Sequence, residues 1–184
     1  MNKEMDFDPG LEGYSVQRLT IGEIESVQIL LDQCLDFMLL VDGHAADLKS
    51  TEEDFLFVPD GKSPEDKFVY GIFDPQNALV GLLDTLHGYP DESIWWIGLL
   101  LLAPQVRSQG LGQKLVEAFA EYALTSGAQA LMLGVVEDNE RAYKFWSKMG
   151  FEFVRQTEPQ QFGEKTQRVS VMQKELFYSR KESW

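Results

Sequence analysis

The chain has 184 residues, 44% of them hydrophobic, with 30 acidic and 16 basic side chains for a formal net charge of −14. That size suits one domain with a substantial core, while the acidic excess repels polyanions and excludes a nucleic-acid-binding surface. One cysteine, Cys34, and two histidines leave no intramolecular disulfide and little metal chemistry, which fits a reducing, cytoplasmic setting. The same field would draw a small cationic partner toward an acidic cleft, although charge of this kind also serves solubility alone.

Residues 1–13 are polar and acidic without an apolar core, so they read as an N-terminal tail rather than a signal peptide. One domain is expected over 14–176, with a C-terminal tail over 177–184. Tyr14 to Leu19 predicts a strand. Thr20 with Glu23 then has the spacing of a capping box, flanked by the staple pair Leu19 and Ile24. The apolar positions Ile21, Ile24, Val27, Leu31, Leu35 and Met38 predict one helix ending at Asp42 and Gly43. Ser50 with Glu53 repeats the capping spacing and predicts a short helix through Phe55, broken at Pro59 to Gly61, with a polar loop to Asp66.

Phe68–Phe73 and Leu79–Leu86 predict a hairpin about the turn residues Asp74 to Asn77. The run Ile94 to Leu102 is apolar throughout, as in a central strand covered on both faces. A buried helix could give the same run, but its short length, Pro90 and Pro104 on its flanks and the interior Gly98 favour a strand. The longest apolar stretch, Ile94 to Ala103, falls short of the roughly 20 residues that span a bilayer, so no transmembrane helix and no membrane partner are expected. Leu111, Leu115, Ala118, Phe119 and Tyr122 predict a helix from Gly110 to Ser126, with Gly127 as its left-handed stop. After a strand at Ala130 to Val136, Asp138 or Asn139 caps a helix whose face is Ala142, Tyr143, Phe145, Trp146 and Met149 and whose stop is Gly150. Phe151–Val154 and Val169–Leu176 complete the strands, with a polar loop between them. The fold class is therefore α/β (α+β): a mixed sheet, part antiparallel and part joined by right-handed crossovers.

The stretch Leu99 to Gly112 carries the chemistry: a buried strand passes through Pro104 into a glycine-rich turn and a helix. Gly110 and Gly112 let backbone N–H groups approach a ligand closely, and the helix N-terminus adds unpaired N–H groups and partial positive charge. A pyrophosphate fits such a site, with Arg107 and Lys114 as nearby cations. The spacing is not that of a P-loop, and Leu115 stands where a Rossmann fingerprint needs its third glycine. The remaining alternative is a strand-to-helix turn with no ligand.

Arg107-x-x-Gly110-x-Gly112 after a strand and a proline resembles the acyl-CoA pyrophosphate motif of the GNAT acetyltransferase superfamily, and Asn139-x-x-Ala142 on a helix ending in Gly150-Phe151 resembles its second motif. The resemblance covers nearly the whole chain. It implies a mostly antiparallel sheet of about seven strands, splayed between its two central strands to admit the pantetheine arm of acetyl-CoA. It also implies roles. Backbone near Leu102 would pair with the arm, the Leu100 amide would stabilise the developing oxyanion, and Arg107, Ser108, Gln109, Gly110, Leu111 and Gly112 would hold the pyrophosphate. Asn139 and Trp146 would approach from the other side, Asn139 serving equally as a helix cap.

One departure concerns the acid. Many family members carry a tyrosine seven residues after that asparagine to protonate the leaving thiolate, and here the position is Trp146, whose indole is no practical acid. Tyr143 could substitute, or could simply pack in the core. For the base, Glu92, Asp84, His87 and Glu137 are candidates, with Glu92 placed first because it precedes the central strand. Phe55, Tyr89, Trp95 and Trp96 could line an acceptor pocket or pack in the core. The reading is an acetyl-CoA-dependent N-acetyltransferase acting on a small-molecule or peptide amine by direct attack. A non-catalytic acyl-CoA-binding or regulatory module is the alternative, and oligomeric state stays open, with a homodimer among the states allowed.

Overall fold

The computed structural model describes residues 7–177. Strand β1 (Ser15–Arg18) leads through the Thr20 capping box into a 3-10 turn (Ile21–Glu23) and helices α1 (Ile24–Gln33), α2 (Leu35–Val41) and α3 (Leu48–Leu56). Then come β2 (Lys67–Phe73), β3 (Leu79–His87), β4 (Ile94–Leu102), α4 (Leu111–Thr125), β5 (Ala130–Val136), α5 (Glu140–Lys148), β6 (Glu152–Gln156), β7 (Gln160–Phe162), β8 (Lys165–Gln167) and β9 (Val169–Glu175). Seven strands form one sheet in the order β1-β2-β3-β4-β5-β9-β6, antiparallel except for the β4–β5 pair. The sheet bears out the mixed, mostly antiparallel architecture expected from the sequence.

Four expectations need correction. The single helix over 20–42 is broken at Cys34, whose N–H is shared between Leu30 O and Leu31 O (3.1 and 2.9 Å) while its own carbonyl starts the next turn by accepting from Phe37 N–H. The break changes the helical phase, so that Leu30, Leu31, Cys34 and Met38 are buried whereas Leu35 faces solvent; Ile21, in the 3-10 turn before α1, is exposed as well. Helix α3 starts three residues earlier than the Ser50 spacing implies, because Asp47 is the cap and Ser50 the reciprocating third residue. The polar loop after β6 contains the β7–β8 hairpin. The N-terminal tail ends sooner than residue 13, since Phe7 is buried against Tyr70, Phe119 and Tyr122 at centroid distances of 5.3, 5.5 and 5.4 Å. Of the expected C-terminal tail, residues 178–184 lie outside the described residues.

The β2–β3 turn forms as expected: Asp74 Oδ1 accepts from Gln76 and Ala78 N–H at 2.9 Å each. Trp95, fully buried, sits under α4 against Phe68, Phe119 and Tyr122, so the lower half of β4 anchors the core. Among the described residues no helix is long and apolar enough to cross a membrane.

Candidate active site

Strands β4 and β5 pair in parallel only from Ile94–Ala130 to Ile97–Leu133. Above that point β5 continues beside β9, while β4 stays on β3. The two central strands therefore splay, and Leu99, Leu100 and Leu102 are only partly buried, unlike a strand covered on both faces. Ala103 N–H donates to Val80 O, toward the β3 side, at 2.8 Å. Successive backbone groups of a strand point to opposite sides, so the N–H groups of Leu100 and Leu102 face the gap that β5 vacates.

A cavity of about 500 Å³ occupies this gap, within the roughly 300 to 1,000 Å³ usual for ligand sites. Its floor is Leu100 to Leu102. One wall is Asp36, Phe37 and Leu40 of α2, and the other is Asn139, Ala142, Phe145, Trp146 and Met149 at the start and along the face of α5. Its far end is Arg107, Ser108, Gly110, Gly112 and Gln113, where the loop opens into α4. Ser108 and Gly110, in the turn that leads into α4, have left-handed φ of 61° and 84°. Space over Gly110 is open: a Cβ there would meet nothing within 4 Å. With the free N–H groups of the first turn of α4, this makes an anion cradle.

The lining carries three cations, Arg107, Arg141 and Lys148, against one carboxylate, Asp36. In a chain of net charge −14 that is a local reversal of sign. Arg107 is committed in part: its guanidinium forms a two-point ion pair with Asp36, and its Nε–H donates to Leu102 O at 2.7 Å. The hydrogen bonds from Arg107 hold the Asp36 carboxyl below its usual range. The pair thus ties α2 to the loop before α4 above the carboxylate's ordinary range and releases it as acid protonates Asp36.

Arg141 and Lys148 escaped sequence reasoning, although they stand seven residues apart on α5 and hence on one side of it; Lys114, expected here, is exposed and outside the lining. The roof depends on the unforeseen hairpin. Gln167, 2% exposed, donates to Leu40 O and Val41 O, and Lys165 Nζ reaches Leu40 O and Asp138 Oδ2.

Of the expected site residues, the structure brings together Leu100, Leu102, Arg107, Ser108, Gly110, Gly112, Asn139 and Trp146. Asn139 also caps α5, its Oδ1 accepting from Ala142 N–H at 3.0 Å. The Leu102 carbonyl is taken by Arg107, which leaves the N–H groups to meet a ligand. Leu111 is buried beneath the loop, and Gln109 turns back to Gln105 O.

Tyr143 lies outside the lining, one residue off the stripe that Ala142, Phe145, Trp146 and Met149 present to the cavity. Glu92 is not brought there: it lies in the turn before β4, eight residues before Leu100 and on the order of 20 Å from it along an extended strand. His87, packed edge-on to Trp95, is at that same lower end. Glu137 uses Oε1 to accept from Arg168 N–H at 2.9 Å. Asp84 is likewise outside the lining, but it lies on β3 opposite Leu99, at the level of the splay. Trp95 packs in the core; Tyr89 meets Trp96 edge-on, and Phe55 is partly buried against the core.

Residues 30–151 match the acetyltransferase (GNAT) family. The chain belongs to that family. A curated relative, N-alpha-acetyltransferase 30 of Schizosaccharomyces pombe, is 31% identical over 86 residues, 47% of this chain and 51% of that protein, so the match spans about half the length of the relative. Among solved structures, an acetyltransferase from Thermus thermophilus superposes with a TM-score of 0.72 at 21% identity, covering 89% of this chain and 97% of the other. The spermidine N-acetyltransferase of Vibrio cholerae, determined with CoA and spermine, gives 0.68 at 16% identity over 90% and 97% of the two chains. These likenesses establish that the chain has the GNAT fold.

Acetyl-CoA suits the site on its own terms. The cradle at Ser108 to Gly112 and the local positive charge fit its phosphates, while the edge N–H groups of Leu100 and Leu102 and the apolar floor fit an amide-bearing arm.

Proposed function

We propose that the protein is an acetyl-CoA-dependent N-acetyltransferase that passes an acetyl group to an amine by direct attack, without an acyl-enzyme. The observation that carries this reading is the splayed gap, whose N–H groups from Leu100 and Leu102 run into a left-handed, locally cationic loop. Acetyl-CoA supplies an activated thioester carbonyl. The loop residues Ser108, Gly110 and Gly112 and the α4 N-terminus hold its phosphates, Arg141 and Lys148 add charge, and the Leu100 N–H stands where an oxyanion would be stabilised. Cys34 does not suit a nucleophile's role: it is fully buried, and burial pushes its thiol pKa up.

The acceptor follows from charge. Outside the cavity lining the chain is strongly acidic, which raises the concentration of a cationic amine, whether polyamine, amino sugar or peptide N-terminus, near the protein. The curated relative is by its name an N-alpha-acetyltransferase and one structural neighbour a spermidine N-acetyltransferase; both classes are amines.

One observation favours a purely binding role: Trp146 fills the place of the family's tyrosine, and Tyr143 stands outside the cavity. A thiol of pKa about 8.5 leaves readily as thiolate, so loss of the acid does not by itself stop turnover. The test is free-thiol release from acetyl-CoA with spermine, kanamycin, lysine and a tetrapeptide amide bearing a free N-terminus. Turnover with at least one, faster at higher pH and slower with added salt for a cationic acceptor, is the expected result. Tight acetyl-CoA binding with no turnover across the panel would establish the binding module instead.

A further inference from the structure

Resting on the transferase reading, we propose that Asp84 takes the proton from the attacking amine, directly or through one water, and that Lys67 positions it for that task. Asp84 pairs across the sheet with Leu99, one step in register from Leu83 and Leu100. A bulge lies there: Thr85 pairs with Ile97, so Gly98 is the extra residue of β4. Gly98 is exposed, and a Cβ built on it would stand 3.6 Å from the Asp84 carboxyl carbon, so the carboxylate borders the open space above this glycine. On β5 across the gap, a Cβ on Gly134 would come 2.7 Å from Cγ1 of Val169 and 3.6 Å from Cζ2 of Trp96, so that position is closed by side chains. Trp96 pairs with Leu86, two residues from Asp84, and therefore shares its face. Gly98 thus leaves β4 bare on this face at the level where the gap opens, with one carboxylate beside it.

That carboxylate is held. Lys67 Nζ contacts Asp84 Oδ2 at 3.1 Å and donates to Asp54 O and Phe57 O at 2.9 Å each, which fixes the ammonium against the end of α3. The charged groups facing Asp84 are Lys67 from β2, which favours its ionised form, and Asp54 from α3, which opposes it; Asp54 in turn is raised by burial and by Asp42. Burial is the largest influence and pushes Asp84 up to about 6. Such a carboxylate is mostly ionised at neutral pH yet more basic than a solvated one, as proton abstraction near pH 7 requires.

In the step proposed, the cationic amine gives one N–H proton to Asp84, which frees the nitrogen pair. That pair forms the C–N bond to the acetyl carbonyl carbon, and the C–S bond breaks with its pair leaving on sulfur. The acylated nitrogen loses its second proton to the departing thiolate through solvent, and Asp84 then releases its own proton to solvent.

Three measurements test the assignment, each run beside calorimetric titration with acetyl-CoA. Asp84→Asn should lower kcat with the fastest acceptor of the panel by about 10²-fold or more while leaving the acetyl-CoA Kd unchanged; Asp84→Glu should restore part of the loss. Lys67→Met removes the favouring cation and should move the acidic limb of the rate profile, near pH 6 in the unaltered protein, to higher pH; Lys67→Arg should leave it near its original position. Carboxyl ¹³C NMR of the ligand-free protein should show Asp84 titrating near 6, a readout independent of turnover. Wild-type kcat in Asp84→Asn, an unmoved limb in Lys67→Met, or an Asp84 carboxyl titrating near 4 would overturn the role of Asp84 while leaving the transferase intact. Acetyl-CoA binding without turnover of any amine would overturn both.

Discussion

The two halves of β4 have the same kind of sequence and opposite surroundings. Ile94 to Ile97 is clasped between β3 and β5, and its Trp95 is sealed beneath α4; Gly98 to Leu102 keeps β3 alone and borders a cavity. The difference begins at one bulged glycine and the departure of β5 toward β9. An apolar run therefore serves as core where its second neighbour stays and as the edge of a cavity where that neighbour leaves, because only there are backbone N–H groups released from the ladder.

That contrast can be broken from either side. Trp95→Ala should produce the largest effect, a loss of about 3 to 5 kcal/mol in urea denaturation, because the indole is fully enclosed by Phe68, Phe119 and Tyr122. The protein that remains folded should bind acetyl-CoA normally. Gly110→Val should do the reverse, weakening acetyl-CoA at least tenfold, about 1.4 kcal/mol, by strain at φ 84° and by placing a side chain over the cradle. Gly112→Ala sharpens the point: its Cβ would make ordinary contacts of 3.5 Å with Leu102 and Phe145, so calorimetry should show a smaller loss. Arg141→Ala and Lys148→Ala should each weaken acetyl-CoA severalfold and reduce the salt dependence of binding. Tyr143→Phe should change kcat less than twofold in thiol-release assays, since the ring lies off the stripe that faces the cavity.

The glycine-rich loop before α4 was legible because its requirement is local: glycine at a left-handed turn after a strand and before a helix leaves a mark in a few consecutive residues. The seven strands of the sheet were legible through apolar runs and turn residues. What escaped depends on partners distant in sequence. The break at Cys34 interrupts an unbroken helical pattern, and it coincides with Asp36 meeting Arg107, 71 residues away. The β7–β8 hairpin is polar because it closes on helix-end carbonyls rather than a core, so periodicity could not reveal it. Glu92 precedes β4, and sequence gives the order of residues along that strand but not how far the β4–β5 pairing runs. The parallel pairing stops at Ile97 and Leu133, which leaves Glu92 at the paired end and Asp84, opposite Leu99, at the level of the splay.

The central claim is that acetyl-CoA binds along the released half of β4 and into the loop that follows it. Amide ¹H–¹⁵N NMR during titration with acetyl-CoA tests it most directly. The largest shifts should fall on Leu100, Leu102 and Ser108 to Gly112, with Ile94 to Ile97 nearly unmoved. Shifts concentrated at the lower end of β4, or none at saturating acetyl-CoA, would contradict the account.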